Sequence, residues 1–253
     1  MGPYGSAPTV AAGRSPDVMH SVLVTNDPPP LLDSIRVVRS VIAGAGCGVP
    51  AAALLDPAVT GWVRDHGLTV TVDADDHLAR VLSRGIRPNQ LVYRCGPVTD
   101  STRRAVNLGV TRFVVGTSQH IASLSRCAQR TKYLYLDGRS PLVFGDRRLS
   151  VVGLHADVDA SEGAVEWAAE AERLLCRAAL LKTCGSPVRR IVLRGGSSEP
   201  WLTGGTQQLT VIAAAVDDAL REGCERWQVP RPAVTLIAAD AEPTVGPAVG
   251  SAA

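Results

Sequence analysis

The sequence predicts one closed α/β barrel of the (β/α)8 kind, and three observations point to it. From Ser21 onward, short aliphatic runs alternate with helical stretches every ~20 to 40 residues, which is the grammar of repeated strand-helix units. The runs are built from Val, Leu and Ile with few polar interruptions, as parallel strands buried on both faces are. The length of 253 residues matches the about 250 that one such barrel uses. An open doubly wound sheet, which alternates in a similar way, is the competing architecture.

Taken in order, Val22 to Thr25 is a short first strand, and Leu31 to Ile42 places apolar residues at helical spacing. The glycine-rich segment Gly44 to Gly48 then stops that helix. Val49 to Leu55 is the next strand. Asp56-Pro57 breaks it, and Pro57 opens a helix running to His66 because its missing N–H costs nothing at a helix start. Leu68 to Val72 is a strand whose exit, Asp73-Ala74-Asp75, supplies carboxylates to cap a helix through Ser83. The pattern repeats with Leu91 to Arg94 before Thr99 to Leu108, and Arg112 to Val115 before Ser118 to Gln129. Tyr133 to Leu136 leads into a segment holding Gly138, Pro141 and Gly145, too irregular for a full helix. Val151 to His155 precedes the long helix Gly163 to Lys182, Ile191 to Arg194 precedes Thr206 to Trp227, and Val234 to Ala238 is the last strand. Eight strands from Val49 onward close a barrel, with a helical lead-in. Residues 1–20 read as a disordered leader, 21–247 as the barrel and 248–253 as a tail.

Composition narrows the function classes. A formal net charge of +2 gives no electrostatic case for nucleic acid or an anionic membrane. No apolar stretch reaches about 18 residues, and the N-terminus lacks the order of a signal peptide. Six scattered cysteines without a C-x-x-C pair, and no histidine cluster, argue against a metal centre and for free buried thiols in a cytoplasmic protein. Aromatic residues are only 4% of the chain, so the core is aliphatic. The 26 basic side chains include just two lysines, Lys132 and Lys182.

A barrel aims its strand ends at one mouth, so Asp56, Asp73, Arg94, Thr117, Asp137, His155, Asp157, Arg194 and Glu242 are the candidate site residues. They could hold a ligand or merely solvate the rim. Gly195-Gly196 could offer backbone amides to a phosphate or form an ordinary turn. His155 ends an aliphatic strand, where a hydrogen-bonded structural histidine competes with a functional one. Asp157 and Asp159 alternate on one extended segment and could cap the following helix or contribute oxygen ligands to a divalent ion. Serine-hydrolase, P-loop and zincin motifs are lacking.

Several stretches, taken together, resemble the type III pyridoxal-phosphate (PLP) amino-acid decarboxylases that act on diaminopimelate, ornithine or arginine. Ala51-Ala52-Ala53-Leu54-Leu55-Asp56-Pro57 is similar to the family's Tyr-Ala-Val-Lys-Ala-Asn-Pro, and Gly85 to Tyr93 to its Gly-Val-Pro-Pro-Glu-Arg-Ile-Val-Phe. Gly153 to Val158 resembles Gly-Leu-His-Phe-His-Val, Leu193 to Gly196 the glycine-rich phosphate loop, and Glu242-Pro243 the Glu-Pro-Gly-Arg segment. The resemblance implies a TIM barrel of the alanine racemase N-terminal type, without the family's C-terminal β domain. It also implies vestigial PLP contacts at His155, Asp157, Gly195, Gly196 and Glu242. The Schiff-base lysine position reads Leu54, the ring-stacking histidine position reads Asp157, and the arginine after Glu-Pro-Gly is missing. The expectation is therefore a barrel that has lost catalysis, holds no cofactor or metal, and binds a protein partner, a second copy or a small molecule. An enzyme of altered mechanism using the strand-end acids and His155 is the alternative.

Overall fold

The computed structural model describes residues 30–138, 140–141, 146–159 and 163–239. The expected first strand Val22 to Thr25, the leader, the tail and Glu242 lie outside them. The chain begins with helix α1 (Pro30–Val41) and then lays down strands β1 (Gly46–Pro50), β2 (Thr69–Val72), β3 (Leu91–Arg94), β4 (Arg112–Val115), β5 (Lys132–Asp137), β6 (Leu149–Val158), β7 (Arg190–Gly195) and β8 (Ala233–Ala238). They pair in parallel, each with the next, and β8 returns to β1, so the sheet closes into an eight-stranded barrel. The crossovers are α2 (Pro57–His66), α3 (Asp75–Ser83), α4 (Thr99–Asn107), α5 (Ser118–Cys127), α6 (Ala164–Thr183), a short α7 (Glu199–Thr203) and α8 (Thr206–Trp227). No helix among the described residues joins β5 to β6, as the irregular segment implied. None of the described helices is long and apolar enough to cross a membrane.

Side-chain alternation divides the interior in two. Val92, Val114, Tyr135, Val192 and Ile237 point into the barrel and form their own cluster. Their strand neighbours, among them Leu91, Phe113, Leu134, Ile191 and Leu236, point outward into the larger core under the helices. The helices answer with apolar stripes such as Trp167, Ala171, Leu174, Ala178 and Leu181 on α6. α1 packs on α7 and α8, and its buried Ser34 hydroxyl donates to the Trp201 carbonyl at 3.0 Å.

The structure corrects the placement of β1. The strand runs over the glycine-rich segment read as a turn, and Ala51–Leu55, read as strand, coils into a 3-10 helix. The reason lies in a strand remote in sequence. Gly46 is in register with Thr235, and a Cβ at Gly46 would sit 2.5 Å from the Thr235 hydroxyl. A Cβ at Gly48 would come within 3.0 Å of the Thr69 carbonyl. These glycines are strand residues that leave room inside the barrel. Pro50 has no N–H to extend the ladder, and Asp56 then caps α2 by accepting from the Ala58 amide at 2.7 Å.

A second correction concerns the exit of β2. Ala74 takes the N-cap position of α3 without a side-chain cap, Asp73 pairs with Arg194, and Asp75 accepts from the Tyr93 and Ser101 hydroxyls at 3.2 and 2.7 Å. The helix α7, held between Pro200 at its start and left-handed Gly204 at its end, is absent from the sequence reading.

Candidate functional site

The lumen-facing residues at the C-terminal strand ends form a charged layer above the apolar one. Arg94 ends β3, Asp137 ends β5, His155 and Asp157 lie two residues apart on β6, Arg194 is on β7, and Asp73 follows β2. Strand register sets these groups side by side: Asp137 is opposite His155, and Asp157 is opposite Arg194. Arg94 straddles two carboxylates, donating to Asp157 at 2.9 Å and to Asp137 at 3.1 Å. Arg194, only 11% exposed at its side chain, pairs with Asp73 at 2.7 Å and lies 3.7 Å from Asp157. The two arginines and three aspartates thus form one network across the mouth.

Electrostatics follow from that geometry. Burial pushes the His155 imidazole down to about 4, with Asp157 opposing the shift and the nearby arginines adding to it, so the ring is neutral at physiological pH. Its Nδ1 is buried without a hydrogen-bond partner. Burial works to raise the Asp157 carboxyl, but the Arg94 hydrogen bond and the surrounding positive charges hold it below the usual carboxylate range. Burial likewise opposes the Arg94 charge, and the hydrogen bond and charge of Asp157, with Asp137 and Asp73, raise it nonetheless. Donor atoms of Asp137, His155 and Asp157 lie within 4.8 Å of one another, close enough to share a divalent ion. In this structure the Arg94 guanidinium serves as the cation for both carboxylates.

Six of the sequence candidates, Asp73, Arg94, Asp137, His155, Asp157 and Arg194, meet here. Asp56 and Thr117 do not join them, and Glu242 lies outside the described residues. Asp56 caps α2, and Thr117 caps α5 by accepting from the His120 amide at 3.2 Å. Asp157 is committed to arginines and does not cap α6, whose N-cap is Gly163, and Asp159 lies beyond the end of β6. Gly195 faces the helices, where a Cβ would meet Val158 at 2.6 Å; Gly196 adopts a left-handed φ of +65°. Both carbonyls accept from the Ala239 amide at 3.2 Å. All six cysteines are free, but only Cys47 and Cys95 are buried, each pushed by burial to about 12 and so inert.

No protein-family profile matches the sequence, and no curated protein does. Solved structures do. Diaminopimelate decarboxylase from M. jannaschii superimposes with a TM-score of 0.67 at 12% identity, covering 82% of this chain and 58% of that one. Lysine decarboxylase from Selenomonas ruminantium gives 0.64 at 14%, covering 83% and 59%, and the arginine decarboxylase of Paramecium bursaria Chlorella virus gives 0.64 at 11%, covering 82% and 61%. The chain thus has the fold of the decarboxylase barrels and spans less than two thirds of the length of these proteins.

The described residues do not fit covalently held PLP. Leu54 carries no amine, lies in the 3-10 turn past β1 and is 1% exposed within the outer core. Lys132 starts β5 at the opposite end of the barrel, where its Nζ donates to the Val110 carbonyl at 2.9 Å. Lys182, near the end of α6, donates to the Gln228 carbonyl at 2.6 Å. The position expected to stack on the ring holds the ion-paired Asp157.

Proposed function

We propose that this barrel has left Schiff-base chemistry and works by binding, as a decarboxylase-like protein that regulates or accompanies another protein. One observation carries the reading: the chain has two lysines, and both amines are hydrogen-bonded to backbone carbonyls away from the mouth. A Schiff-base enzyme needs an amine there to hold the cofactor and exchange it with substrate. The mouth holds instead a set of mutually neutralising charges, which suits recognition better than turnover. Mixing the protein with PLP should produce no visible aldimine band. A borohydride-trapped adduct on Lys132 or Lys182 would overturn the proposal.

A second reading rests on His155, a neutral imidazole with an unpartnered Nδ1 beside two carboxylates, in an arrangement open to acid-base work on a small molecule. A thermal-shift screen of metabolites, with hits lost in His155→Ala, would favour it. A flat screen would remove it.

A further inference from the structure

The other end of the barrel differs from the mouth in one respect. A cavity of about 270 Å³ opens at the N-terminal ends of the strands, lined by Arg112, Arg190, Thr69, Thr235, Gly46 and Tyr135 among others. Two arginines face this space, and none of the residues around it is acidic. The mouth arginines Arg94 and Arg194 each have carboxylates at salt-bridge distance. Among the described residues neither Arg112 nor Arg190 has one. Arg112 spends one terminal nitrogen on the Asn89 carbonyl at 2.8 Å, while its Nε is buried with no partner. Burial, together with the like charge of Arg190, weakens its hold on its proton, against the help of Tyr135.

We propose that this floor cavity is a binding site for a phosphate group, separate from the mouth and independent of the function proposed above. A guanidinium pair without a carboxylate, set in a recess, is the electrostatic complement of an oxyanion, and the planar fork of arginine matches tetrahedral oxyanions through paired N–H donors. Thr69 and Thr235 line the same space. The Gly46 backbone keeps it open, because a Cβ there would strike Thr235. The volume falls below the about 300 Å³ at which pockets for drug-sized ligands begin, so it admits inorganic phosphate or the phosphate end of a small ester and little more.

Titrating the whole chain with inorganic phosphate at constant ionic strength, followed by phosphorus NMR and by Tm, tests the site. Saturable binding is expected, with a rise in Tm that chloride does not reproduce. Arg190→Gln and Arg112→Gln should each weaken it at least tenfold, and Arg94→Gln at the mouth should leave it intact. Arg190 is exposed, so its variant decides the matter even if Arg112→Gln fails to fold. Glycerol phosphate in a parallel titration separates the sources: binding as tight as phosphate admits an ester, and weaker binding assigns the site to the free ion. A response equal to that of chloride, phosphate binding that survives in Arg190→Gln, or binding lost in Arg94→Gln would overturn the assignment.

Discussion

Acidification should destabilise this barrel through the buried His155 before the Asp157 carboxyl protonates. His155 is 1% exposed and its folded value is about 4, against about 6.5 in an unfolded chain. The unfolded state therefore takes up the proton first, and stability falls as pH drops through the window between those values. A single group with these two constants costs about 2 kcal/mol near pH 5 and about 3 kcal/mol near pH 4, relative to neutral pH. His120 is also shifted down, by burial and by Arg94, so it contributes in the same direction. Asp157, held below the usual carboxylate range, loses its contribution only at lower pH. Comparing wild type with His155→Gln isolates the buried ring. Measured by denaturant midpoints at about pH 7 and about pH 4.5, the wild-type protein should lose about 2 kcal/mol more stability than His155→Gln does, by the same linkage. Equal losses in the two proteins, or an imidazole NMR titration of His155 at about 6.5, the unperturbed value, would refute the reasoning.

Other outcomes follow from the packing. Arg194→Met, which removes a side chain 11% exposed and leaves the 30%-exposed Asp73 without that partner, should cost about 2 kcal/mol in chemical denaturation, whereas Arg36→Met in an exposed helix pair should change nothing measurable. Gly46→Ala should cost about 2 kcal/mol and be partly rescued by Thr235→Ala, which removes the hydroxyl at 2.5 Å and the methyl at 3.2 Å and leaves only the β-carbon at 3.3 Å. Gly153→Ala places a Cβ 2.6 Å from the Arg190 carbonyl, so no side-chain change should rescue it. Leu54→Lys should destabilise by more than about 3 kcal/mol, read from the denaturant midpoint, and still give no aldimine band with PLP, because the amine would enter the outer core.

Strands β2 to β8 were legible because each is a short, mostly aliphatic run, and closure followed from counting eight strands in all. β1 was not, because its residues answer to Thr235 and Thr69, and local pattern carries no information about a neighbour nearly the whole chain away. Ala51–Leu55 looked more strand-like than Gly46–Pro50 on composition alone. The mouth residues could be named singly, as polar groups at strand ends. Their pairing could not, because Arg94 meets Asp157 only through the registers that link β3 to β6. Arg112 and Arg190 escape a reading that looks for chemistry at the C-terminal strand ends, because both stand at strand starts. Their signal in the sequence is an arginine at the first position of a strand, on the same alternation as the lumen residues Val114 and Val192.

The pairing of β1 with β8 carries a consequence for how the chain assembles. Each strand from β2 to β8 meets its predecessor over a modest loop, but Gly46 must find Thr235 from the other end of the described chain. Loop-closure entropy makes that seam the last to zip, so the growing sheet spends part of its folding with two naked margins. Strands in that state recruit other chains, and one defence is a margin that makes a poor template. β1 reads Gly-Cys-Gly-Val-Pro: two residues without side chains and a proline that cannot donate. We expect pulse-labelled amides of β1 and β8 to gain protection after those of β2 to β6. Simultaneous protection would rule out this order.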